Sequence, residues 1–380
     1  MSELNASNLG KEHGNEGPDL VGITELTSPY FMVPPSGTTA ERPQNPQPGT
    51  LRFNTDIGSL EYYKGDTLGW ESINRVSPNL GGGTGSNTGV GARGVVTGGA
   101  SHPTYIDVMD YITISTLGNA TDFGNLTGDK GGVESCGSNT RGIAFGGYDA
   151  PSVKNEIDYW TYSSTGNAID FGNMTVTAAY RGALSNQTRG ISGGGWIPNI
   201  DVIDYITIAS TGDAVDFGNL LGDTEAPCGF SSPTRGLFAG GYVSPGAVNV
   251  IQFLTIATTG NTTDFGDLTT IVISASACTS ATRGVLGCIR TPGYGNNMEY
   301  VTMATLGNSI DFGDQTDNRG SGAALSSPTR GCWAGGYGQP AYRNTIDYVT
   351  IATQGNAADF GDLNNAKDHM GGASNAHGGL

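Results

Sequence analysis

The tripeptide Asp-Phe-Gly occurs six times at near-constant spacing, and no other feature constrains the fold as tightly. The copies begin at Asp122, Asp170, Asp216, Asp264, Asp311 and Asp359, at intervals of 48, 46, 48, 47 and 48 residues. An Arg-Gly pair keeps step with them at Arg93, Arg141, Arg189, Arg235, Arg283 and Arg330. A period of this length with Gly-Gly and aromatic punctuation predicts propeller blades rather than helical solenoids. The expected fold is all-β: a six-bladed propeller, with a seven-bladed ring as the alternative, after a small N-terminal β meander and an extended arm.

One repeat, from Ser321 to Leu363, shows how a blade is spelled. Gly322-Ala323-Ala324-Leu325 and Cys332-Trp333-Ala334 are short apolar runs separated by turn residues. Ile346-Asp347-Tyr348-Val349-Thr350-Ile351 is a strand by β-branched content and alternation, and Ala358-Asp359-Phe360 is the fourth. The Gly-Asn and Gly-Asp pairs at Gly118, Gly166, Gly212, Gly260, Gly307 and Gly355 suit tight hairpins with positive φ. The repeated Phe123, Phe171, Phe217, Phe265, Phe312 and Phe360 are the candidate inter-blade core. The tail Gly371-Gly372-Ala373-Ser374-Asn375-Ala376 reads as one more first strand, which would close the ring. The seven-bladed alternative combines that tail with residues 50–75.

The chain before the repeats is different. Residues 1–78 are expected to form an arm and a small β domain. The three strands of that domain are Leu51-Arg52-Phe53-Asn54, Leu60-Glu61-Tyr62-Tyr63 and Trp70-Glu71-Ser72-Ile73. Residues 79–89 form a Gly-rich linker, and the repeat domain spans 90–380. Glycine is abundant, at 62 of 380 residues, but it falls in register with the repeat and so marks turns rather than disorder. The formal charge of −17 repels phosphate backbones, which argues against nucleic acid as a partner. Five cysteines without a CxxC pair read as buried small hydrophobes. No apolar run is long enough for a membrane span, and no secretory signal is legible at the N-terminus.

Chemistry is sparse. Asp-Phe-Gly binds magnesium in kinases, but six copies without the other kinase motifs make it a structural element. Gly81-Gly82-Gly83-Thr84-Gly85 lacks the end of a phosphate loop, and the four histidines have no metal-ligand spacing. A glycosidase carboxylate pair should break the period, and no Asp or Glu stands out in that way. No enzyme activity, cofactor or metal is therefore expected. Calcium in the Asp-Phe-Gly-Asn/Asp turns lacks any loop spacing to establish it. Each repeated Arg is expected to meet an Asp or the carbonyls of a neighbouring blade. Seven residues after each Arg stand Ala100, Tyr148, Trp196, Tyr242, Arg290 and Tyr337. That position opens the variable loop, so the five large side chains should gather at one end of the ring. Aromatics and a planar Arg suit sugar stacking or a protein hot spot, and capping of the blade edges is the competing reading.

The stretch Pro35-Ser36-Gly37-Thr38-Thr39-Ala40-Glu41-Arg42-Pro43, with Pro48-Gly49-Thr50-Leu51-Arg52-Phe53-Asn54-Thr55-Asp56, Leu60-Glu61-Tyr62-Tyr63-Lys64-Gly65 and Trp70, resembles a segment of tailed-bacteriophage virion proteins, especially tail fibres and related appendages. The repeats resemble kelch-like repeats of phage virion proteins, many from marine cyanophages. They share the Gly-Gly doublet with kelch but lack its later Tyr and Trp spacing. The resemblance implies a non-enzymatic virion protein, assembled in the host cytoplasm and anchored to tail or baseplate by its N-terminal region. The propeller would then face the host surface, whether glycan or protein, or neighbouring subunits, including copies of itself. Capsid decoration or a head fibre, a glycan depolymerase, and a bacterial interaction module remain as alternatives.

Overall fold

The computed structural model describes residues 34–56, 59–67, 69–72, 92–101, 103–290 and 293–380. The expected arm (1–30) and linker (79–89) lie outside the described residues. The chain divides into two units, Met1–Val76 and Ser77–Leu380.

In the small unit, strands Leu51–Asn54, Ser59–Tyr63 and Trp70–Ser72 form the expected antiparallel order, and Ser36–Gly37 adds a parallel fourth strand. The addition makes it more than a meander. Its interior is ionic. Glu61, fully buried, accepts from Arg42 Nη2 at 2.5 Å and Asn54 Nδ2 at 3.1 Å, with Arg52 Nε 3.6 Å away. Both guanidinium groups lie over Trp70, at 5.7 and 6.0 Å from the ring centre. These hydrogen bonds, that of Arg42 foremost, hold the Glu61 carboxyl below its ordinary range.

Among its described residues the large unit contains six antiparallel sheets of four or more strands. The second consists of Glu134–Gly137, Arg141–Asp149, Ser152–Thr161 and Ile169–Asn173. The third to sixth follow in chain order, starting at Gly182–Ser185, Cys228–Ser231, Ser276–Thr279 and Ala323–Ser326. The fourth sheet carries a fifth short strand, Tyr242–Val243. The first sheet joins both ends of the unit: Gly371–Ser374 pairs with Arg93–Thr97, followed by Val108–Thr113 and Thr121–Asn125.

The expectation of a kelch-like β-propeller of six or seven blades does not stand as stated. Among the described residues the strands fall into eight separate hydrogen-bonded sheets: these six, the N-terminal sheet, and a ribbon of Ala100–Ser101 with Thr104–Tyr105. No strand ladder runs from one sheet into the next, and no sheet curls closed on itself. The reason is local pairing, because each repeat supplies its own partners and completes its ladder internally. The seven-bladed alternative fails because residues 51–72 pair among themselves while the tail pairs with Arg93–Thr97.

Neighbouring sheets meet through side chains. Alternation sends the third-strand aliphatics to one face and the aromatic to the other. Ile112 and Ile114 of the first sheet pack with Ile346 and Phe360 of the sixth. On the opposite face, Met109 and Phe123 pack with Val133, Ala144 and Trp160 of the second. Equivalent clusters fill the other four interfaces, so the sequence of contacts returns to its start. Single backbone bonds follow the same cycle. Gly166 donates to Phe123, Gly212 to Phe171, Gly260 to Phe217, Gly307 to Phe265, Gly355 to Phe312 and Gly118 to Phe360. These glycines have the expected positive φ in the turns between third and fourth strands, and they also dock on the preceding sheet.

The repeated arginines follow that rule too. Arg93 Nη1 donates to the Tyr162 carbonyl at 2.7 Å while its guanidinium lies 4.3 Å from the centre of Tyr111. Arg330 repeats this, donating to the Ile114 carbonyl across the closing interface at 2.8 Å and lying 4.5 Å from the centre of Tyr348 in its own sheet. Carbonyls, rather than the repeated Asp, are the partners. Asp122 and its five counterparts sit at exposed positions.

Candidate functional site at the aromatic end of the large unit

Two rings of backbone and side chains define the ends of the innermost strands. At one end, Gly132, Tyr180, Ala226, Ser274, Ser321 and His369 all adopt left-handed conformations, with φ between 50 and 61°. Each donates its N–H to the carbonyl of the counterpart one sheet earlier, at 2.8 to 3.4 Å, and Gly132 donates to His369. Six residues therefore close a backbone hydrogen-bonded loop. This satisfies polar groups that would otherwise be buried unpaired, and five non-glycine residues hold a conformation that costs each about 1 kcal/mol or more.

At the other end the equivalent ring is Gly137, Ser185, Ser231, Thr279, Ser326 and Ser374, and the C-terminal tail covers it. His377 Nε2 lies 2.8 Å from the Gly137 carbonyl, and Gly379 N donates to its Nδ1 at 3.1 Å. One nitrogen must donate and the other accept, so this imidazole is neutral. Burial lowers its pKa and keeps it so. Between the two ends, the innermost strands line partly open cavities of about 20, 30 and 50 Å³. Each has room for water but is far too small for an ordinary ligand pocket.

The position seven residues after each Arg lies beside the left-handed ring. Tyr148, Trp196, Tyr242, Arg290 and Tyr337 form single bridges with Gly131, Ala179, Glu225, Ile273 and Gly320, and Ala100 with Asp368. All six sites thus occur at one end of the unit, with different side-chain contacts. Tyr148 and Trp196 meet at 5.8 Å, and Tyr105 extends the group from Tyr148 at 5.5 Å. Trp196 continues to Tyr180 at 5.7 Å, and Tyr180 to His369 at 5.2 Å. Tyr337 belongs to a second group with Tyr294 and Tyr342. Tyr242 joins neither ring group, and Arg290 is exposed.

Tyr180, His369, Tyr105 and Tyr294 were not singled out by sequence. Tyr180 and His369 share a repeat register with Gly132, Ala226, Ser274 and Ser321, but six different choices of side chain hide it. Two carboxylates do break the period. Glu134 stands where the other sheets have Gly182, Cys228, Ser276, Ala323 and Gly371, and it borders two of these cavities. Desolvation pushes its pKa up to about 8, so it is largely protonated at neutral pH. Glu225, half-buried beside the aromatic end, is also raised by desolvation, against the pull of Arg290. Sequence reading passed over both because it weighed only the periodic acids.

Among the described residues no three of His, Cys, Asp and Glu are grouped to hold a metal. The five cysteines are buried free thiols.

The fold defines an all-β repeat protein built from separate sheets. No protein-family model matches the chain, and no curated protein matches it. The resemblance of its repeats and N-terminal segment to kelch-like phage virion appendages is accordingly corrected to this coarser class.

Proposed function

We propose that this is a non-enzymatic structural and attachment protein of a phage particle. Its small unit anchors it to tail or baseplate, and its large unit presents the aromatic end to the host surface or to a neighbouring subunit. The observation that carries the reading is the half-buried chain of rings Tyr105, Tyr148, Trp196, Tyr180 and His369 on a cyclic framework. Partly exposed aromatics held rigidly are what contact surfaces use, since they offer large area at little cost in side-chain entropy.

Electron microscopy of virions labelled with an antibody to the large unit tests the setting. Label at the tail or baseplate is expected. Label over the capsid would replace attachment with decoration, and absence of label would overturn the virion reading. Adsorption assays with Trp196→Ala and Tyr242→Ala test the surface, with loss of binding at unchanged Tm as the expected outcome.

A further inference from the structure

The three cavities of the large unit share walls and lie in file. All six residues of the left-handed ring line the first, of about 20 Å³. One register of the innermost strands, Ser135, Ala183, Gly229, Ala277, Ala324 and Gly372, lines both the second and the third, of about 30 and 50 Å³. Glu134 borders the first and second, and His377 borders the third. The run therefore begins beside Tyr180 and His369 and ends under the C-terminal tail.

Its wall is small and polar. No side chain at the shared register is larger than Ser. Each innermost strand has a ladder on one side only, so alternate backbone N–H and C=O groups on its other edge face the cavities. Glu134 lies in a sheet packed on both faces, yet the residue keeps some accessible surface. That surface belongs to the two cavities it borders. No side chain of a described residue hydrogen-bonds to its carboxyl. A buried carboxyl left so is costly, and bridging water removes the cost. Each cavity exceeds the roughly 10–15 Å³ that one water needs, and a polar wall favours filling. Other occupants fit worse. A metal cation would share the first cavity with Arg181, and no acidic ligand cluster exists among the described residues. An organic ligand exceeds the space.

We infer that the large unit binds water as one hydrogen-bonded file through these cavities, linked at the carboxyl of Glu134 and covered at its far end by His377. The file rests on the fold alone and stands apart from the contact reading of the aromatic end.

Magnetic relaxation dispersion of the solvent counts internal waters that outlast tumbling of the full chain, and crystals of the same chain give their positions. At least one ordered water per cavity is expected, with one in hydrogen-bond reach of the Glu134 carboxyl. Glu134→Gln should keep the count, and Glu134→Leu should lose at least one water. Deleting residues 377–380 leaves strand Gly371–Ser374 in place and should shorten water residence. Two soaks of wild-type crystals need no variant to fold. Xenon taken up in the file, or no ordered water there, means dry cavities and overturns the inference. Rubidium bound there means a cation site and overturns it too. A water count unchanged in Glu134→Leu removes that residue from the file, and unchanged residence after the deletion refutes its reach to His377.

Discussion

Glu134 is the one acid among the innermost strands at its register, and its environment has a measurable consequence. Its folded pKa, about 8, lies above the ordinary carboxyl value of 4.5. Between those values the native protein holds a proton that the unfolded chain has released, so stability falls as pH rises through that window. Glu134→Gln keeps the shape without the charge. Unfolding free energies from urea titration should therefore match wild type near pH 4.5 and exceed it at pH 8, by an amount on the order of a few kcal/mol. Parallel curves at both pH values would disprove the assignment. The buried ion pairs behave otherwise. Lys367–Asp110, Lys130–Asp158, Arg181–Asp204 and Arg319–Asp347 are separated by 2.8 to 3.0 Å, all nearly inaccessible. At the two remaining sheets the acid becomes Gln252, or Glu299, which accepts from Thr269 and Ser309 hydroxyls instead. Arg319→Met alone strands a buried charge and should cost about 3–5 kcal/mol, whereas adding Asp347→Asn should recover much of that loss in a thermal melt.

Within each repeat, Asp-Phe-Gly divides its work among three neighbours in line. The Asp is exposed, the Phe fills the interface, and the Gly lets the next sheet approach. A Cβ on Gly266 would stand 2.5 Å from the Gly307 carbonyl oxygen, closer than such atoms pack. Gly266→Ala should thus lower the Tm by several degrees, equivalent to about 1–3 kcal/mol. Phe265→Ala, which empties space beside Ile251 and Leu268, should cost about 3–5 kcal/mol. An unchanged melt for either would remove the motif from the interface. Much of this was legible in the residues. The register of Arg, Asp-Phe-Gly and the alternating third strand announced a repeated four-strand unit, and carbonyl partners for the Arg were one of two options weighed. The positive φ expected at the Gly-Asn and Gly-Asp turns is present, but their docking was missed because a glycine that reaches a neighbouring sheet looks the same in sequence as one that only closes a hairpin. The left-handed ring was invisible because backbone geometry, set by six mutual hydrogen bonds, overrides side-chain preference at Tyr180 and His369.

For the large unit as a whole, what sequence could not specify was how the sheets and chain ends combine. Periodicity gives the number of repeats but not which segment pairs with which, so residues 50–75 remained candidates for a further sheet until their pairing was seen. The aromatic end was partly legible: its five named residues share one register. Its grouping into two clusters depends on loop residues such as Tyr105 and Tyr294, which lie outside the period. Removing residues 371–380 deletes the first strand of one sheet together with His377, and leaves the Gly137 carbonyl without that partner. Hydrogen exchange should then show loss of protection at Arg93–Thr97 and at the flanking faces of the second and sixth sheets. Protection confined to wild-type levels there would mean that the tail is dispensable. The union of residues 93–97 with 371–374 also bears on synthesis. Five of the six larger sheets can form as the chain leaves the ribosome, but the first must wait, incomplete, through the 273 residues between Thr97 and Gly371. A prematurely terminated product would expose the edge of Arg93–Thr97 and its apolar faces, marking it for chaperones or proteases. The strand Gly371–Ser374 thereby links the completion of the first sheet to synthesis of the sixth repeat.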